Sequence, residues 1–342
     1  MIFLTNEQRF VLRIFSKIPL FRLVKLMRRQ ILVPYYHMIT NEAPLHTKHL
    51  YGHKNIRQFT EDLDFLLKNF LPVNLMDVMA FLKADEVLPD RALLLTFDDG
   101  FREMYDVVAP ILLNKGISSI FFVNSAFTDN RELCFQHKAS ILVEHIQAKP
   151  KSLLQHIGDK LRTDNHTPED IKKSLLSIEY RERAIIDEVA ALMEVDFSDY
   201  LSKNKPYLTS EQILILIRNG FHIGAHSIDH PLYASLSMEE QLRQTRESVG
   251  FVKERYHLNY GVFAFPHSDR GVSRAVFEEI YGSGLVDIFF GTGGITGDFF
   301  KNNIQRFSLE KPPIPAKDII TYEYARKIYR KMKGNDRIMR DR

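Results

Sequence analysis

Two carboxylates stand side by side at Asp98 and Asp99, directly after the apolar stretch Arg91–Phe97 and directly before Gly100. Acids at the C-terminal end of a buried strand lie where α/β folds build their sites. Neighbouring strand residues point to opposite faces, so one acid can hold a cation while the other acts as a base. Two imidazoles, His226 and His230, follow a second apolar stretch, Phe221–Ala225. Four residues apart, they fit one face of a helical turn, from which both reach a single ion. One Asp and two His match a three-ligand catalytic metal site that leaves positions for water and substrate. Two more strand ends add candidates: His37 after Tyr36, and His267 at the end of Phe263–His267. Each signal alone has a plain structural reading. An Asp-Asp-Gly before Glu103 serves as helix-capping acids, a His pair arises by chance, and a single histidine belongs by default to a core. It is their joint occurrence at predicted strand ends that points to a metal site.

The elements that must carry these residues alternate. The pattern predicts strands over Ile31–Met38, Arg91–Phe97, Ile117–Asn124, Phe221–Ser227, Gly261–Phe265 and Leu285–Phe290. It predicts helices over Ile56–Asn69, Met76–Lys83, Glu103–Lys115 (broken near Pro110), Thr209–Asn219, Met238–Tyr256 and Ser273–Tyr281. Thr209 with Gln212 reads as a capping box, and Ser237 as an N-cap. Repeated β/α units of this kind argue for a parallel sheet, open or closed into a barrel. Thr128–Leu208 interrupts them: it is polar and helical in pattern, without strand signals. It reads as a helical insertion, either a cap over the site or a structural appendage.

The 342 residues, 45% hydrophobic and 26% charged, describe an ordinary globular chain. The single cysteine, Cys134, excludes an intramolecular disulfide and any Cys-rich zinc site, and fits a reducing compartment. No apolar run is long enough to span a membrane, and Arg9, Arg13, Lys17 and Arg22 break up any signal-peptide core. These features favour a cytoplasmic protein or one peripheral at the membrane. Residues 1–30 carry seven Lys/Arg against Glu7, and residues 322–342 carry eight against three acids, so the body between is net acidic. Basic ends on an acidic body fit an anionic membrane surface or a partner; nucleic acid is not expected. The amphipathic N-terminal segment, divided at Pro19, reads equally as a helix packed on its own domain.

These motifs resemble the polysaccharide deacetylases of carbohydrate esterase family 4, the NodB homology domain, over roughly residues 30–127 and 207–310. The family's Thr-Phe-Asp-Asp-Gly motif is unbroken at Thr96–Gly100, and its His-[Ser/Thr]-x-x-His motif at His226–His230. The resemblance implies an α/β fold, a distorted (β/α)7-type barrel over 31–321, with the helical insertion 128–208. Outside it lie the basic amphipathic segment 1–30 and a basic C-terminal tail, 322–342. It implies Asp98 as general base and Asp99, His226 and His230 as ligands of a divalent metal, zinc first, with cobalt, nickel or iron accepted.

The later motifs depart from the family. Phe263–His267 lacks the arginine of Arg-x-Pro-aromatic and looks like a Phe-Ala-Tyr-Pro variant, which implies the His267 backbone N–H as an oxyanion donor. The late leucine–histidine motif has as its nearest counterpart Arg306–Glu310, which holds no histidine. The poly-N-acetylglucosamine deacetylase branch takes its acid from an N-terminal Tyr-His strand, which residues 33–37 resemble. His37 is therefore the expected general acid and His267 the second choice. The implied activity is metal-dependent removal of N-acetyl groups from an amino-sugar polysaccharide or glycolipid. A lipid-linked sugar would suit the basic ends. Two alternatives remain: a non-catalytic carbohydrate-binding protein derived from a deacetylase, motivated by the missing arginine and histidine, and a metal-dependent amidase acting on a small non-sugar amide.

Overall fold

A computed structural model describes residues 20–26, 31–83 and 87–341. The predicted apolar runs form short strands: β1 Pro34–Tyr36, β2 Leu95–Phe97, β3 Ser119–Val123, β4 His222–Ala225, β5 Val262–Ala264 and β6 Ile288–Gly291. Two more follow, β7 Asn303–Gln305 and β8 Phe307–Ser308. Their pairings are parallel and run in chain order from β1 to β7, with β8 against β1. Only Arg306 separates β7 from β8. One continuous stretch thus pairs with β6 at one end and β1 at the other, and closes the ring. Counted as a single strand, it makes a seven-stranded distorted barrel, as expected.

The two-residue period of the strands sorts their side chains into two layers. Leu94, Ile120, Phe122, Val262, Ala264, Ile288 and Phe290 fill the barrel interior, plugged at one end by Leu75 and Val78 of the helix Leu75–Leu82. Leu95, Phe97, Phe121, Ile223, Phe263 and Phe289 face the surrounding helices. Each fully buried side chain of this size contributes about 1.5–3 kcal/mol. The same alternation places Thr96 and Asp98 on the inner face, in line with Leu94.

Local signals set the helices. Ile56–Asn69 and Met238–Tyr256 form with the predicted bounds. The Thr209–Gln212 capping box is present, and Ser237 accepts the Glu240 N–H. The stretch predicted as a helix broken near Pro110 instead starts as a π-helix, Met104–Val108, and continues as Ala109–Asn114. Pro110 falls in the first turn of that second piece, where a missing N–H is tolerated.

The insertion contains five α-helices, Phe135–Ile146, Lys151–Leu161, Pro168–Ser177, Ala184–Met193 and Phe197–Asn204. They enclose a core of their own that includes Leu142, Ile157, Ile171 and Val189. A second cluster, with Met38, Phe101, Phe127, Cys134, Ile141 and Tyr207, joins the insertion to the C-terminal ends of β1, β2 and β3.

The expected basic tail, 322–342, is largely built into the fold. The helix Ala316–Met332 buries Ile319, Ile320, Tyr324 and Ile328, residues at helical spacing, and packs on Ile56–Asn69 and on Leu20–Leu26. Arg337–Ile338 pairs with Gly297–Asp298. Arg340 is buried between Asp269 and Asp298, with its Nη2 2.5 Å from Asp298 Oδ2. Of the amphipathic segment 1–30, the helix Leu20–Leu26 buries Leu23 and Val24. Its other residues lie outside those described. Among the described residues, no helix is long and apolar enough to cross a membrane.

Arg340→Met would strand two buried carboxylates. Removing one partner of a buried pair costs about 3–5 kcal/mol. A loss of that size is expected in urea unfolding at neutral pH. A variant as stable as the wild type would show that the C-terminal segment is held by other contacts.

Candidate active site

The β2 ladder continues one residue past the strand, with the Asp98 N–H donating to Tyr36 O at 2.9 Å. Asp99 and Gly100 then both adopt left-handed backbone, φ 75° and 65°. The chain turns there against Val123, whose atoms would lie 3.2–3.3 Å from any Cβ at position 100. This is why glycine suits that site. Asp98 stays on the inner face, while Asp99 swings toward β4.

The His226 N–H donates to Val123 O at 2.9 Å, continuing β4. The two histidines were expected on a helical turn. The structure corrects this: residues 226–230 form a loop. Ser125 and Ala126 donate backbone N–H groups to Ser227 O and Ile228 O, so these carbonyls are drawn toward β3 and not into helical bonds. Ser227 and His230 take left-handed backbone, φ 68° and 65°, and the His230 N–H donates to Ser227 Oγ at 3.0 Å.

That loop brings the expected ligand trio together. One donor atom from each of Asp99, His226 and His230 lies within 4.8 Å of the other two. Asp99 Oδ1 is 3.4 Å from His226 Nε2 and 3.2 Å from His230 Nε2. In a tetrahedral site with bonds of zinc length, ligand atoms are about 3.3 Å apart. Asp99 Oδ1 is buried and has no hydrogen-bond partner. His226 Nδ1 donates to Ala264 O at 2.8 Å, which turns Nε2 toward the cluster. The donor set and its spacing fit a divalent cation.

Sequence reasoning missed Arg306. Its guanidinium enters the barrel from the joint between β7 and β8 and is wholly buried. Nη1 and Nη2 grip the two Asp98 oxygens at 2.7 and 2.8 Å, and Nη1 also reaches Thr96 Oγ1 at 3.1 Å. The group lies 4.9 Å from the Tyr35 ring centroid and 5.2 Å from that of Phe122. Burial alone would raise the Asp98 pKa, but Arg306, with help from His226 and His37, holds it below the usual carboxylate value. Phe263–His267 does lack an arginine, yet an arginine still meets the inner acid.

Glu310 was missed as well. It accepts the backbone N–H groups of His37 and Met38 at 2.8 and 3.1 Å, and its Oε2 lies 2.7 Å from His37 Nδ1. Burial opposes a charge on His37. The Glu310 hydrogen bond and the charges of Asp99, Glu310 and Asp98 outweigh it, and the pKa rises to about 9. His267 behaves oppositely. Burial and the neighbouring His230, with ring centroids 4.5 Å apart, hold it down to about 3. The only sequence signal for Arg306 and Glu310 was their place in Arg306–Glu310, set aside for want of a histidine.

All six expected residues, His37, Asp98, Asp99, His226, His230 and His267, line one cavity of about 480 Å³. Cys134, Gln136 and His137 of the insertion complete its wall, and Gln136 Nε2 is 3.3 Å from His267 Nε2. The insertion is therefore part of the site.

A family model described as polysaccharide deacetylase matches residues 85–280. The chain belongs to this family. The deacetylase is accordingly a hydrolase of linear amide carbon–nitrogen bonds, and the resemblance read from its two motifs is borne out. His37, Arg306 and Glu310 all fall outside the matched stretch. Solved structures agree on the fold. The Streptococcus pyogenes deacetylase PplD in complex with acetate is 14% identical, with a TM-score of 0.55 over 86% of this chain and 97% of that one. A de-N-acetylase from Aggregatibacter actinomycetemcomitans gives 14% and 0.54 over 85% and 99%. IcaB from Ammonifex degensii gives 14% and 0.52 over 86% and 97%. No curated protein matches the sequence significantly.

In metal-free protein, Glu310→Gln should bring the His37 pKa down from about 9, read by NMR titration of the imidazole. A raised pKa stabilises the fold fully below the unfolded value near 6.5 and loses that effect as pH rises through about 9. The stability gap between wild type and variant should therefore be wider near pH 6 than at pH 10. An equal gap at both would mean that Glu310 does not set the His37 charge.

Proposed function

We propose that this deacetylase removes N-acetyl groups from an amino-sugar glycan with the help of a divalent cation, zinc foremost. Asp99, His226 and His230 would hold the cation, Asp98 would act as general base and His37 as general acid. One observation carries the reading: a carboxylate and an imidazole share a cavity with the ligand trio, and each has a buried counter-charge that fixes its protonation.

When bound, the cation supplies Lewis-acid polarisation of the acetamide carbonyl and lowers the pKa of water. Asp98 takes a proton from the attacking water. Arg306 keeps this carboxylate ionised and holds both oxygens in place, at some expense of basicity. The His267 backbone N–H is the donor proposed for the tetrahedral oxyanion. As the carbon–nitrogen bond breaks, His37 gives its proton to the departing amine, and acetate remains. His37 is favoured over His267 as acid because it is protonated at neutral pH, whereas His267 has no proton to spare there. The non-catalytic reading rested on a missing arginine and a missing late histidine. Arg306 beside Asp98, and His37 beside Glu310, remove both motives.

Acetate release across a panel of N-acetylated glycans, with metal content measured in parallel, tests the substrate class. Chelation should abolish release and zinc should restore it. Turnover confined to small non-sugar amides would favour the amidase alternative. Asp98→Asn should lower turnover by about 10²–10⁴-fold while zinc stays bound. Near wild-type release from this variant would refute the assigned base. His37→Ala should cost more turnover than His267→Ala, and the reverse order would transfer the acid role.

A further inference from the structure

The loop that carries the two histidines is not a conformation it would hold unaided. Ser227 and His230 are both non-glycine residues with left-handed backbone. Such residues persist where their surroundings over-determine them. The barrel supplies part of that constraint through Asn124, whose side-chain amide donates to His226 O, and through the backbone of Ser125 and Ala126. The helix Met238–Tyr256 supplies more. Gln244, fully buried, accepts the Ile228 N–H at 2.9 Å and donates to Asp229 Oδ1 at 2.7 Å.

The other oxygen of Asp229 is claimed from elsewhere. The Tyr180 hydroxyl donates to Asp229 Oδ2 at 2.6 Å. Tyr180 belongs to the helical insertion, and its ring is held from within that insertion by Arg183, 3.9 Å from the centroid, and by the edge of Phe135. Arg183 itself comes to 3.8 Å of the same oxygen. Asp229 precedes His230 directly and lies outside the candidate ligand cluster. With one oxygen fixed by the helix Met238–Tyr256 and the other by the insertion, it sets the backbone from which the His230 imidazole projects.

We propose that Tyr180 is a positioning residue through which the helical insertion holds the 226–230 loop in its ligand-bearing shape, so that the insertion governs how tightly the site retains its cation. The proposal rests on the reading of Asp99, His226 and His230 as metal ligands. It gives the insertion a task beyond walling the cavity: a disturbance of its packing at Phe135, Tyr180 or Arg183 is passed to the cation. Partners in the layer behind metal ligands commonly alter metal affinity by about 10–100-fold.

The test is zinc affinity, measured by competition with a chromophoric chelator on the full chain. Tyr180→Phe removes the hydroxyl and keeps the ring that Arg183 and Phe135 pack against. Its zinc dissociation constant should rise by about 10-fold or more, with faster loss of zinc to chelator, and added zinc should recover turnover. Asp229→Ala, which releases both tethers, should weaken zinc further. Lys160→Ala breaks an exposed ion pair with Glu188 elsewhere on the insertion and should leave the constant unchanged. Thermal melting of each variant separates a loosened loop from a lost fold. If Tyr180→Phe and Asp229→Ala fold and bind zinc as tightly as the wild type, the proposal is overturned while the metal site stands. Wild-type protein that binds no zinc would overturn the metal reading and this proposal with it.

Discussion

A guanidinium with no access to water grips a carboxylate at the mouth of the barrel, and the rest of the site is arranged around that pair. Removing both charges from water is costly, and the cost is recovered only where geometry is good and remaining donors are satisfied. Here the fork is bidentate, a threonine hydroxyl takes a further hydrogen bond, and two aromatic faces flank the cation. The arginine also occupies the point where one strand ends against β6 and the next begins against β1. Closing the ring and charging Asp98 are therefore one structural event.

Four residues further on, the same stretch performs the opposite service. Glu310 is an anion placed against an imidazole, as Arg306 is a cation placed against a carboxylate. The first keeps a proton on His37; the second keeps protons off Asp98. Two titratable groups in one cavity are thus driven apart in pKa, the condition under which one can donate while the other accepts at the same pH. Both counter-charges ride on one backbone segment paired into the barrel, so their spacing is fixed by strand geometry and not by flexible loops.

The insertion adds a different kind of constraint. It has its own apolar core and is fastened to the barrel by a second cluster around Phe101, Phe127 and Tyr207. This makes it a rigid neighbour, able to wall the cavity with Cys134, Gln136 and His137 and to meet Asp229 with Tyr180. A polar, helical stretch with no motif of its own contributes to the site through where it docks.

The strand ends, the helices with their caps and the cluster of Asp99, His226 and His230 were legible from residue order because each rests on a short-range rule. Period-two apolar runs make strands, capping residues start helices, and two histidines four residues apart can converge beside Asp99 whether the backbone between them is a helical turn or, as here, a tethered loop. Arg306 and Glu310 were not legible as functional residues. Their partners, Asp98 and His37, lie 208 and 273 residues away along the chain. Nor could charge counts show that the C-terminal cations Lys327 and Arg340 are buried and not free. Short-range patterning thus determined which residues stand at the barrel's active rim, while closure of the ring decided which charges meet them. Protonation depends on those long-range neighbours, and no local spacing encodes them.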